Sequence, residues 1–153
     1  MKKIFLYLCL LGLFSCAGYN PIFSAKNINY YIDDIINTSN DDITKKISVN
    51  LNNKKFSKSE KKKYILKITS EKVDKVTSKD SRGDDLTFMV NINVKVDVFY
   101  KSLDVAIHTF EINKNFNYNN QKNKFNLSQY KKTIVDNLIN KISQDIIVKL
   151  QLI

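Results

Sequence analysis

The chain has 153 residues, a formal charge of +10, two cysteines, one histidine, three glycines and one proline. So few glycines leave no glycine-rich phosphate loop, and His108 by itself cannot build a zinc site or a catalytic triad. The positive balance suits an anionic partner such as lipid headgroups or phosphorylated glycolipid, although lysine spread through a chain rich in Asn and Ile for solubility alone gives the same sum.

The N-terminal stretch MKKIFLYLCLLGLFSC carries Lys2 and Lys3, an apolar run from Ile4 to Phe14, then Ser15 and Cys16. That is the layout of a secretory signal, and the apolar run is shorter than the roughly 20 residues of a membrane span. Residues 1–15 are therefore expected to be a signal peptide. Leu13-Phe14-Ser15-Cys16 resembles the bacterial lipobox, with Phe14 where a small residue is usual. The resemblance implies lipid attachment at Cys16. Ala17, rather than Asp, follows the cysteine, which under the sorting rule for bacterial lipoproteins implies the outer membrane, facing the periplasm. Cys9 lies within the signal, so no thiol is left for a disulfide, a metal or a catalytic nucleophile. Residues 16–27 then read as a lipid-anchored linker and 28–153 as a single α+β domain.

Residues 27–37 begin with alternation (Ile28, Tyr30, Ile32) and predict a first strand. A short amphipathic helix follows, capped by Ser39 or Asn40, with Asp41 and Asp42 in its first turn and Ile43, Ile47 and Leu51 on one face. Tyr64, Leu66 and Ile68 open a second strand that continues as a polar ribbon through Val73 and Val76. Residues 81–85 turn the chain. The next segment alternates most clearly. Phe88, Val90, Ile92, Val94, Val96, Val98 and Tyr100 share one face, and Asn91, Asn93, Lys95 and Asp97 share the other. This predicts a long antiparallel strand with one buried face. Residues 105–119 return as a fourth strand, with Ala106, Phe110, Ile112, Phe116 and Tyr118 on one parity. A last helix, capped by Ser128, repeats Tyr130, Ile134, Leu138, Ile142, Ile146 and Leu150 at four-residue spacing. The order β-α-β-β-β-α predicts a two-layer α+β sandwich, two helices on one face of a four-stranded mixed, mainly antiparallel sheet. Val94 and Ile142 are expected in its core.

Candidate chemistry is sparse. No pair of carboxylates has a convincing catalytic spacing, so no catalytic, cofactor-binding or metal-binding residue is assigned and no enzyme is expected. An export signal, a lone arginine and the lack of a recognisable binding motif argue against nucleic acid. Lys72, Lys75, Lys79 and Arg82 bring positive charge along one arm of the 64–94 hairpin and into its turn, a candidate contact for the phosphates of an anionic partner, with Asp80, Asp84 and Asp85 close by. Exposed basic turns are also common without any ligand. The basic run at 58–64 reads as a solvated loop. Tyr19, Pro21 and Phe23 read as an aromatic pin for the tail against the sheet.

The lipobox cysteine, the stretch Gly18-Tyr19-Asn20-Pro21-Ile22-Phe23, the alternating hairpin of 86–118 and the long closing helix together resemble the alphaproteobacterial form of the LPS-assembly lipoprotein family LptE. Ala17 is an extra residue between the cysteine and the glycine. The resemblance implies an outer-membrane lipoprotein that plugs an LptD-like β-barrel, assists its assembly, binds lipopolysaccharide and needs no cofactor. The alternative reading is another periplasm-facing lipoprotein, either an auxiliary lipid-transport component or a structural protein without a ligand.

Overall fold

A computed structural model describes residues 30–39, 41–52, 62–101 and 104–153. The expected signal peptide, Cys16, the linker, the 18–23 motif and residues 58–61 of the basic run lie outside those residues. The elements are β1 (Tyr30–Asn37), α1 (Asp42–Asn52), β2 (Lys62–Lys79), β3 (Asp85–Tyr100), β4 (His108–Asn119) and α2 (Lys124–Gln151). The sheet runs in the order β1-β2-β3-β4. β1 is parallel to β2, and the other neighbours are antiparallel. Parallel neighbours need a crossover, which α1 supplies. Both helices cover one face, as the alternation of the strands requires.

Within β1 the register shifts between Ile32 and Asp34. Ile32 pairs with Tyr64 on the helix side, and after the shift Ile35 pairs with Leu66 on the same side. A bulge at Asp33 thus lets the run YYIDDIIN change parity and keep both Ile32 and Ile35 on the helix side, while Ile36, opposite Lys67, turns to the open face and is 47% exposed. Lys101 at the end of β3 pairs with Asp33 at 2.8 Å.

The helix starts differ from expectation. The cap of α1 is Asp41, whose carboxylate accepts from the Thr44 N–H at 2.7 Å. Ser39 is used elsewhere, accepting from the Ser70 N–H at 2.9 Å, and Asn40 lies outside the described residues. The cap of α2 is Asn123, which accepts from the Phe125 and Asn126 N–H groups. The helix therefore begins about one turn before the expected Ser128, because an asparagine with extended backbone is an equally good cap. β4 begins at His108 rather than Val105, and Val105 is three-quarters exposed.

The core is one cluster. Tyr64, Leu66 and Ile68 of β2, the even-numbered residues Val90 to Val98 of β3, and Phe110, Ile112 and Tyr118 of β4 face Ile43, Ile47 and Leu51 of α1. They also meet Ile134, Leu138, Ile142, Ile146 and Leu150 of α2. Val94 and Ile142 are both fully buried. A second row on α2, Ile139, Ser143 and Ile147, is buried as well. The helix–helix seam beside it carries Lys46–Asp136 at 2.6 Å and Asn50–Asn140 at 3.0 Å. At the base of the sheet the rings of Tyr30, Tyr64 and Tyr100 stand 5.8 and 5.5 Å apart in a row, and the Tyr30 hydroxyl donates to the Ile147 carbonyl. Burial, reinforced by Tyr100, pushes the Tyr64 phenol up to about 12.

Candidate functional site

β2 and β3 pair from Tyr64–Tyr100 out to Lys79–Asp85. At about 3.3 Å per residue, an 18-residue strand runs well past the two helices. The hairpin closes through Asp80. Its N–H donates to the Asp84 carbonyl at 2.8 Å, its carbonyl accepts from the Gly83 N–H, and its carboxylate accepts from the N–H groups of Arg82 and Asp84. Those backbone donors hold the Asp80 carboxyl below the usual range. Gly83 takes φ +87°, a conformation that suits glycine.

The four basic residues singled out in the sequence divide into two places. Lys79 ends β2 and Arg82 sits in the turn, its side chain 80% exposed. Each has a carboxylate nearby: Lys79–Asp85 at 3.4 Å, and Arg82 with Asp80 at 3.4 Å and Asp84 at 3.7 Å. Lys72 and Lys75 lie farther down the stem, and strand alternation puts them on opposite faces of it. Lys72 shares Asp74 with Lys131 of α2, at 3.6 and 2.9 Å. The hairpin stem and α2 are thereby joined through one carboxylate with two ammonium groups.

Two cavities flank that junction. One, about 260 Å³, lies between α1 and α2 and includes Ile43, Lys72, Lys131 and Lys132 in its wall. The other, about 430 Å³, lies between the hairpin stem and the first turns of α2, and Lys131 also borders it. Lys62 and Lys63, the end of the basic run, are exposed at the start of β2, and Lys62 donates to the terminal Ile153 at 3.1 Å.

The sheet face opposite the helices is mainly polar, with Ile36, Ile65, Val73, Met89 and Phe99 set among polar residues. Asn91 faces Asn115 and Asn93 faces Asn113 across β3 and β4, while Lys95 lies between Thr69 and Glu111. Asp97 accepts from the Thr109 hydroxyl at 2.7 Å. Among the described residues no group of three or more His, Cys, Asp or Glu is placed to hold a metal ion, and no helix is long and apolar enough to cross a membrane.

This architecture, a four-stranded mixed sheet with two helices on one face in the order β-α-β-β-β-α, is shared with solved bacterial lipoprotein structures. Rare lipoprotein B from Shewanella oneidensis superposes with a TM-score of 0.55 at 15% identity, covering 76% of this chain and 92% of that one. A minor lipoprotein from Acinetobacter baumannii gives 0.57 at 11%, covering 81% and 91%. Lipoprotein B from Nitrosomonas europaea gives 0.58 at 10%, covering 85% and 88%. At such identities the likeness is one of fold. No family model and no curated protein sequence matches the chain.

Proposed function

We propose that this chain is an acylated outer-membrane lipoprotein of the LPS-assembly type. In this reading it is anchored through Cys16, plugs an LptD-like β-barrel, and contacts lipopolysaccharide phosphates with the basic residues of its hairpin. The observation that carries the reading is the coincidence of a lipobox-like cysteine with a fold shared with the lipoprotein structures above. The open sheet face adds physical support. Its asparagines, threonines and mixed charges suit the polar lumen of a barrel, while the apolar stripe of α1 and that of α2 from Ile134 to Leu150 are already spent on the core. The role is one of binding and assembly, not catalysis.

Affinity isolation of the tagged chain from native membranes tests this. The expected result is a one-to-one complex with a large outer-membrane barrel that survives detergent extraction. Recovery of free monomer alone, with a folded LptD-like barrel present in the same extract, would reject the assignment.

A further inference from the structure

The helix-facing side of the sheet runs out from under α2. Val76 pairs with Phe88, and Phe88 with Tyr118. All three have the parity of core residues, yet they sit where the first turn of α2 ends the cover. Of the large apolar side chains that are exposed, Val76, Leu86, Phe116, Phe125 and Tyr130 gather at this end of the molecule. The Tyr130 ring meets Tyr118 edge-on at 6.2 Å, and Phe88 stacks on Tyr118 at 5.6 Å. Between them is the 430 Å³ cavity, with Val76, Phe88, Tyr118 and Leu127 as apolar wall. That size falls within the roughly 300–1,000 Å³ of small-molecule sites.

Positive charge borders this wall. Lys124, Leu127 and Lys131 are spaced by three and four residues, so all three look toward the stem from one face of α2, and all line the cavity. Asp74 is the carboxylate at the rim, and it is already shared by Lys72 and Lys131. Lys124 makes no ion pair among the described residues. An apolar slot whose mouth holds more ammonium groups than carboxylates matches a molecule with a hydrocarbon chain and an anionic head.

We infer that the groove between the β2–β3 stem and the start of α2 binds an anionic amphiphile, with one acyl chain against Val76, Phe88, Tyr118 and Leu127 and the head between Lys124 and Lys131. The inference goes beyond the proposed function, since it requires neither a barrel nor lipopolysaccharide and places the ligand on the stem instead of the turn. A charged head is well served here because ammonium–phosphate hydrogen bonds are charge-assisted.

The test uses the full chain carrying Cys16→Ser, so that no acyl group of its own competes, titrated calorimetrically with three probes below their micelle concentrations. Dodecyl phosphate is expected to bind saturably at one site. Dodecyl maltoside, with the same chain and a neutral head, should bind at least about tenfold more weakly, and so should inorganic phosphate. Val76→Glu and Lys124→Glu alter exposed side chains and should leave the melting temperature in place, while each weakens dodecyl phosphate binding by about tenfold. Lys79→Ala with Arg82→Ala should leave it unchanged, so loss of the groove and loss of a turn-centred lipopolysaccharide contact are told apart. Equal binding of the neutral or chainless probe, or full affinity in Val76→Glu, would overturn the site. So would binding that appears only after deletion of residues 17–29, which would make the chain's own segment the occupant.

Discussion

Asp41 joins more of the fold than a cap needs to. Its carboxylate accepts from the Thr44 N–H and hydroxyl, and also from the Ser70 hydroxyl of β2 at 2.7 Å. Partial burial pushes this carboxyl upward, but the hydrogen bonds from Thr44, Ser70 and Ser39 outweigh it and hold the group below its usual range. A depressed folded value means stabilisation that is complete above the unfolded carboxylate value of about 4 and is lost as pH falls through the folded value. Asparagine can still cap, so Asp41→Asn removes the charge and spares the geometry. The wild type should be more stable than Asp41→Asn at pH 7, and the gap should close as pH falls through the depressed folded value. Urea midpoints at pH 7 and in acid decide this; a gap that persists in acid would refute the assignment. At the hairpin turn, Lys79 and Arg82 are paired and exposed, and such pairs contribute little to folding. Replacing both with alanine should lower lipopolysaccharide affinity in a salt-sensitive manner and leave the melting temperature unchanged, as a binding titration beside a thermal scan would record.

At the scale of elements, α2 is positioned by its first turn and its buried rows. Asn123→Ala should cost about 1 kcal/mol, and Ser128→Ala, one turn inside the helix and exposed, should cost almost nothing. Denaturant unfolding of the two variants separates the caps directly. Ile142→Ala should cost roughly 2–5 kcal/mol because it opens a cavity in the fully buried core, whereas Lys95→Ala on the open face should stay within about 0.5 kcal/mol. Similar losses from the two would mean that the sheet presents its other face to the helices. β4, an edge strand of 12 residues, is guarded by a charge at a core-parity position. Lys114 points to the helix side and pairs with Asp145 of α2 at 2.7 Å, and Lys149 lies 5.3 Å from the Phe110 ring centre.

For the whole molecule, the layout separates a base from a tip. β1 enters at the base, beside the Tyr30–Tyr64–Tyr100 row and the end of α2, and the hairpin reaches away from it. The acylation proposed at Cys16 would attach its anchor to the base end of this fold, through residues 17–29. Mass spectrometry of the protein matured in a Gram-negative host should find a lipid-modified N-terminal cysteine at that position. An unmodified chain still beginning at Met1, in a host with intact processing, would remove the anchor from the account.

Periodicity alone was enough to order the elements and to orient most of the sheet. The alternation from Phe88 to Tyr100 and the four-residue row from Ile134 to Leu150 each bury one face, and a strand or helix can satisfy such a pattern in one way. The lysines and the arginine of the hairpin were equally legible as residues. What local pattern could not supply was which groups meet across the fold. The bulge at Asp33 keeps Ile32 and Ile35 both on the helix side through a change of parity. The choice of Asp41 over Ser39 depends on Ser70, 29 residues away along the chain. Ile139 is buried beside Ile43 and Lys46 of α1, and Ile147 lies where Tyr30 of β1 donates to its carbonyl. The stem groove arises because the sheet is longer than the helix that covers it, a mismatch of lengths that appears when the two layers are brought together.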